Sequence, residues 1–353
     1  MKLKKLNSII KFLVITYFYF IINKNSIIDI KEINIYKIKN KCNRYYKNIK
    51  KKYYNFMLKN EKKKYIKDLN LKSYFGLKVA ICVIAKQENI YIKEFINYYL
   101  NLGIKTIFLY DNNDLDGENF EDILDLEIKN GLVIIINYRG FIKPQKKAFD
   151  DCYLNNKYNF DWIGFYDVDE YLYIENYTNI NQFLSLSKFK NCSSILINWK
   201  NYGDNDYIRY KPKPIQNRFI IPFNFKNGID YGIYLYSAAK SIIRGGLNIT
   251  WEHFPHFLNS SNICYPNGTF VIQPLSPPQY SSAYLKHYIT KSTEEYVIKL
   301  IKGTVNSNIT INKESILFWI NNYYFIFNKI TKKKLQFLEG ILKFKIIPNK
   351  ISL

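Results

Sequence analysis

The sequence predicts an α/β fold. It reads as a doubly wound, mostly parallel, Rossmann-like sheet, followed by an irregular second half and a helical C-terminus. Three observations carry this reading. Between residues 77 and 167, short β-branched runs alternate with amphipathic segments at helical spacing, the pattern of βαβ units. The runs are apolar almost without interruption, as strands covered on both faces are. Acids (Asp111, Asp114, Asp167 and Asp169) gather where these runs end, the edge at which open α/β sheets bind ligands.

The elements follow in order. LKVAICVIA (77–85) is a buried strand. YIKEFINYYLNLG (91–103) is a helix with Phe95, Tyr98, Tyr99 and Leu102 on one face and Gly103 as its C-cap. KTIFLYD (105–111) is the second strand, FEDILDLEIKNG (120–131) a helix closed by Gly131, and LVIIINY (132–138) the third strand. KAFDDCYLNNKY (147–158) is the third helix and WIGFYD (162–167) the fourth strand. SSILINWK (193–200) adds a strand, and residues 201–290 read as short strands in long loops. STEEYVIKLIKG (292–303) carries a capping box, Ser292 with Glu295 three residues on. The tail from Ile311 is helical and basic.

Boundaries are set by changes in composition. Residues 1–24 hold an apolar run, Phe12 to Ile22, shorter than the roughly 20 residues of a spanning helix. It lacks small residues at a cleavage site, so an uncleaved anchor or interfacial helix is expected, single-pass or peripheral. Residues 25–76 form a Lys/Tyr-rich linker, residues 77–303 the folded domain, and residues 304–353 a basic helical extension. The chain has 52 Lys and Arg against 29 Asp and Glu, a formal net charge of +23. No nucleic-acid motif accompanies that charge, so no specific nucleic-acid partner is expected. An anionic membrane surface and a Lys-biased composition remain as its sources. The positive-inside rule then puts the domain in the cytoplasm. The five cysteines (Cys42, Cys82, Cys152, Cys192 and Cys264) are odd in number and include no C-x-x-C, so reduced thiols are expected, with neither a zinc site nor a disulfide framework.

The stretch DWIGFYDVDEYLYI (161–174) sets acids in an apolar run. If the chain stays extended, Asp167 and Asp169 point the same way, and side-by-side carboxylates repel. A divalent cation resolves the repulsion: Mg²⁺ or Mn²⁺ takes oxygen ligands and leaves positions for substrate phosphates. The bland alternative is an acidic turn solvated at the surface. Asp161, at the opposite end of the strand, reads as a turn or capping acid.

Four segments in order resemble glycosyltransferase family 92 and its GT-A relatives: VIAKQENIYIKEFINYYLNLGIKTIFLYDNND (83–114), DWIGFYDVDEYLYI (161–174), HFP (253–255) after AAKSIIRGG (238–246), and LKHYITKSTEEYVIKLIKG (285–303). Ala85-Lys86-Gln87-Glu88 stands where the family shows Lys-Asn-Glu. The resemblance implies a GT-A-type fold and transfer of a hexose from a nucleotide-diphosphate sugar, UDP-linked above all, with inversion, to a glycan or lipid-linked acceptor. It implies Asp167, Asp169 and His287 as metal ligands, the imidazole favouring Mn²⁺, and Glu170 as a group orienting them. Lys291 is implied at the diphosphate, Glu88, Asp111 and Asn113 at the base and ribose, and Gln145 and Lys240 at further polar positions. His253 is implied near the acceptor. Asp204 and Glu252 are the two candidates for the base that deprotonates the acceptor. The competing reading is a catalytically inactive glycan- or membrane-binding module on the same fold.

Overall fold

Where a linker is expected, a single helix runs from Ile35 to Asn60 (α1). Ile38, Cys42, Ile49 and Tyr53 fall on one face of it and are buried, a stripe hidden in the sequence by the surrounding lysines. The helix docks on the domain. The Tyr46 hydroxyl donates to Glu118 at 2.8 Å, Lys50 pairs with Glu118 at 2.6 Å, and Arg209 lies between the rings of Tyr45 and Phe337. The structure, a computed structural model, describes residues 35–60, 76–223, 238–253, 257–260, 262–272, 278–302 and 312–346. The apolar N-terminal run lies outside them. No helix among the described residues is long and apolar enough to cross a membrane.

The expected alternation is present. β1 (Val79–Ala85), α2 (Ile92–Asn101), β2 (Thr106–Asp111), α3 (Glu121–Lys129), β3 (Val133–Asn137), α4 (Gln145–Asn156) and β4 (Trp162–Tyr166) follow in turn. β1 runs parallel to both β2 and β4, and β2 parallel to β3. Alternate residues of β1 enter different cores. Val79, Ile81 and Val83 pack with Phe95 and Tyr99 of α2, whereas Ala80 and Cys82 pack with Phe149 and Cys152 of α4. Both faces are thus covered, which is why β1 contains no polar residue.

The second half makes the sheet mixed. β5 (Glu170–Ile174), α5 (Ile180–Leu184), β6 (Ser194–Asn201), α6 (Ile215–Arg218) and β7 (Ala239–Arg244) come next. β8 (Trp251–His253) pairs with β9 (Phe257–Leu258) as a separate ribbon, β10 (Ile263–Cys264) sits beside β6, and β11 (Ala283–His287) leads to α7 (Thr293–Lys302). The strand order is β3-β2-β1-β4-β7-β6-β11-β5, with β7 antiparallel to both β4 and β6. The capping box is present: the Glu295 amide donates to Ser292 Oγ at 3.3 Å, and the Ser292 amide to Glu295 Oε2 at 3.1 Å. α8 (Lys313–Trp319) and α9 (Lys332–Leu342) make the tail.

Two sequence expectations are corrected. The chain does not stay extended past β4: residues 167–169 turn, the Glu170 amide donating to the Asp167 carbonyl at 3.0 Å, and β5 leaves to pair with β11. The cysteines are not all reduced. Cys82 is bonded to Cys152 and Cys192 to Cys264, leaving Cys42 as the free thiol, which burial pushes up to about 12. Pairings 70 and 72 residues apart have no local spacing to reveal them. Asp161 acts as the turn acid expected, accepting the Lys78 amide at 2.7 Å. Thiol titration of the unreduced, denatured chain is expected to find Cys42 alone. Because each bridge closes a long loop, Cys152→Ala is expected to lower unfolding stability by about 2–4 kcal/mol, read by urea denaturation.

Candidate active site

The carboxyl edge of the sheet collects the site. β1 leads into the loop bearing Glu88, β2 ends at Asp111, β4 gives way to the turn that starts at Asp167, and β11 ends at His287. Gln87 and Lys291 have positive φ (53° each), a left-handed backbone uncommon for residues with a side chain. They sit on the two loops that flank Glu88, which lies 3.7 Å from the Lys291 ammonium.

The turn after β4 separates the two aspartates. Asp167 accepts from Gln145 Nε2 at 3.0 Å and from Lys240 Nζ at 2.8 Å. Asp169 takes Lys299 Nζ at 2.8 Å on Oδ2, while its Oδ1 faces His287 Nε2 at 3.8 Å. Burial raises the Asp169 carboxyl, but the ammonium groups of Lys299 and Lys291 outweigh it and hold the group well below the ordinary range. The His287 Nδ1 meets Asn201 Oδ1 at 2.9 Å. An amide oxygen only accepts, so the imidazole hydrogen sits on Nδ1 and the Nε2 lone pair faces Asp169. Burial pushes the His287 pKa down to about 3, so the ring is neutral near pH 7. Glu170 is wholly buried. Its Oε2 accepts the Asp167 amide at 3.1 Å, its Oε1 has no hydrogen-bond partner, and burial carries its pKa far upward despite Lys240.

A second group of contacts shapes the adjoining loops. Glu88 bonds Lys302 at 2.5 Å; burial raises its pKa, but Lys291 and Lys302 bring it below the usual value. Asp111 takes Arg139 Nε at 2.8 Å and the Asn113 amide at 2.9 Å, and Asn113 Oδ1 takes the Gln87 amide at 2.7 Å. Arg139 also reaches Asn119 Oδ1 and the carbonyls of Asp114 and Glu118, so one guanidinium fixes the loop after β2. Lys291, Lys299 and Lys302 thus line one crevice with Glu88, and Lys299 also bonds Asp169, which faces His287.

Residues 77–336 match the sequence profile of Glycosyltransferase family 92. The chain belongs to glycosyltransferase family 92. A family 92 protein of Arabidopsis thaliana is 28% identical over 127 residues, 36% of this chain and 21% of that protein. One from Ricinus communis is 32% identical over 97 residues, 27% of this chain and 16% of its own length. The match to these curated relatives therefore spans about a fifth of their length or less. Among solved structures, Staphylococcus aureus TarS 1–349 in complex with UDP-GlcNAc aligns at TM-score 0.36 and 14% identity, over 75% of this chain and 82% of that one. The mannosyltransferase PcManGT from Pyrobaculum calidifontis, with GDP-Man and Mn²⁺, aligns at TM-score 0.28 and 8% identity, over 45% and 47%.

Eight of the residues singled out in the sequence form one connected group: Asp167, Asp169, Glu170, Glu88, Lys240, His287, Lys291 and, bonded to Asp167, Gln145. Asp111 and Asn113 lie alongside through Gln87. The proposed three-ligand set does not converge, and no group of three His, Cys, Asp or Glu among the described residues could hold an ion. Asp169 and His287 approach each other, and the turn turns Asp167 toward Gln145 and Lys240. Asp204, expected as a candidate base, is buried and takes Lys334 at 2.9 Å, the Tyr324 hydroxyl at 2.5 Å and the Asp206 amide at 2.9 Å, contacts that anchor the C-terminal helices. The side chains of Glu252 and His253 lie outside the described residues.

Lys299, Lys302 and Arg139 were missed. The first two share a helix face with Glu295 at i+4 and i+7, a signal lost among 52 basic residues. Removing one partner of a buried ion pair strands the other, so Lys334→Met is expected to cost about 3–5 kcal/mol of stability in a denaturant titration. Burial pushes Glu94 up to about 7 from 4.5. The folded state then binds the extra proton between those values, and its contribution is full below pH 4.5 and lost as pH rises through 7. Melting curves across that window are expected to show a smaller fall for Glu94→Gln than for wild type.

Proposed function

We propose that the chain transfers a hexose from a nucleoside-diphosphate sugar, a UDP-sugar first among them, to a glycan or lipid-linked acceptor, with inversion. The observation that carries this is the crevice lined by Glu88, Lys291, Lys299 and Lys302, in which Lys299 bonds Asp169 and Asp169 in turn faces His287 Nε2. Transfer breaks the bond between the sugar carbon and the diphosphate, so negative charge grows on the leaving oxygens, and fixed cations there favour the transition state. Lys299 also holds Asp169, and Glu88 holds Lys291 and Lys302, so the charges are positioned before the donor arrives.

Asp169 and His287 offer one carboxylate and one imidazole nitrogen to a divalent cation, Mn²⁺ or Mg²⁺. Asp169 and His287 would hold it, the Asn201 contact fixing the imidazole, with donor phosphates completing its coordination. When bound, the ion supplies Lewis-acid stabilisation of the leaving diphosphate. A second reading has an observation of its own: Asp167 and Asp169 already carry Lys240 and Lys299, which supports charge neutralisation by lysine alone. The proton of the acceptor hydroxyl passes to a base on the acceptor side, for which Glu252 and Asp204 are the candidates.

Membrane association belongs to the same proposal. The apolar run at Phe12–Ile22 and the cationic outer face of α1, with Lys39, Arg44, Lys47 and Lys51 exposed, support it. The two disulfides support an oxidising compartment for the domain in place of the cytoplasm expected from the positive-inside rule.

The test is hydrolysis of UDP-glucose, UDP-galactose and UDP-GlcNAc with Mn²⁺, repeated in EDTA. Asp169→Asn is expected to lower the rate about 100-fold or more. Loss of turnover in EDTA supports the metal-dependent form, and turnover unchanged in EDTA selects the lysine form. A folded chain that hydrolyses none of the donors would leave the inactive binding module standing instead.

A further inference from the structure

A second cavity, of about 330 Å³, shares Ile90 and Tyr91 with the crevice that holds Glu88 and Lys291. Its floor is α2. Glu94, Asn97, Tyr98 and Asn101 recur there at i, i+3, i+4 and i+7, so one helix stripe faces the space. Tyr53 of α1 and Tyr210 form walls, and Gln216 of α6 contributes a third amide. This stripe differs from the core face of the same helix, where Phe95, Ile96 and Tyr99 are fully buried. A helix lying under α1 for packing alone would present apolar residues along its whole covered surface. Here amides and tyrosines alternate.

The charges are largely settled within the protein. Arg218 gives its guanidinium to Glu295 at 2.8 and 3.0 Å and to the Lys213 carbonyl at 3.1 Å. Glu94 accepts the Ile215 amide at 2.8 Å. Lys213 is exposed at the rim. What faces the cavity is aromatic surface and the amides of Asn97, Asn101 and Gln216, the Gln216 oxygen also taking Lys286 Nζ at 3.3 Å; side-chain amides both donate and accept. A pyranose matches that: its C–H face is apolar, and its hydroxyls each donate and accept around the rim. The volume lies at the low end of the roughly 300–1,000 Å³ of small-molecule pockets, suited to a sugar of one or two rings.

We infer that this cavity is a binding site for a neutral saccharide, sharing Ile90 and Tyr91 with the donor crevice. The Lys291 ammonium lies 3.9 Å from the centroid of the Tyr91 ring, whose hydroxyl donates to Glu295. Taking the bound sugar as part of the acceptor rests on the transferase reading; saccharide binding itself does not.

Saturation-transfer NMR on the full chain tests it, with lactose, maltose, cellobiose and chitobiose as probes, in Mg²⁺ and saturating UDP so that donor-site binding is blocked. At least one disaccharide is expected to receive saturation, and Asn101→Trp, which fills the cavity from an exposed position, to abolish the signal with an unchanged melting temperature. If that variant melts lower, Gln216→Ala carries the test, with affinity expected to fall roughly tenfold for a lost amide contact. No transfer to any probe, transfer displaced by UDP, or transfer untouched by the folded variant overturns the site. UDP-sugar hydrolysis by the wild type is measured apart. An inactive chain that still binds a disaccharide refutes the transferase reading and leaves this site standing.

Discussion

The strand ends of this domain concentrate carboxylates in a place from which water is largely withdrawn, and that constraint organises everything near them. Glu88, Asp169 and Glu170 are buried or nearly so, and Asp167 adjoins them. Charged groups in such surroundings must be paired or neutralised. The chain does both. Lys240, Lys299 and Lys302 bond Asp167, Asp169 and Glu88 in turn, whereas burial drives Glu170 toward its neutral form. The result is a lattice of alternating sign whose members hold one another at fixed positions.

The lattice also explains why the C-terminal helices belong to the domain. Lys299 and Lys302 come from α7, while α9 returns Lys334 to Asp204 beneath the loop after β6. The family match accordingly runs through residue 336. α1 closes the same side through Tyr46 and Lys50 on Glu118, beside the loop that Arg139 fixes. Segments distant in sequence therefore meet around one edge of the sheet.

The parallel half of the fold was legible because its signal is local: β-branched runs alternate with amphipathic helices, and each element announces its own burial. The capping box at Ser292 and the turn acid Asp161 were legible for the same reason. The turn at Asp167–Asp169 was not, because extended and turned backbones satisfy the same residues, and the choice is made by β5 pairing with β11 across the sheet. The disulfides and the Asp204–Lys334 pair join residues 70 to 130 positions apart, beyond any local spacing. Lysine abundance hid the rest: Lys299 is indistinguishable in sequence from a solvated neighbour until α7 turns it toward Asp169.

Tyr91 has a particular standing in this arrangement. One face carries the Lys291 ammonium, the hydroxyl is bound by Glu295, and Glu295 is gripped by Arg218 at the wall of the second cavity. The two spaces share this residue in their linings. Free energies of change in the two are therefore coupled: a substitution at Lys291 and one at Arg218 both act on the same ring, and their combined effect departs from the sum of the separate ones.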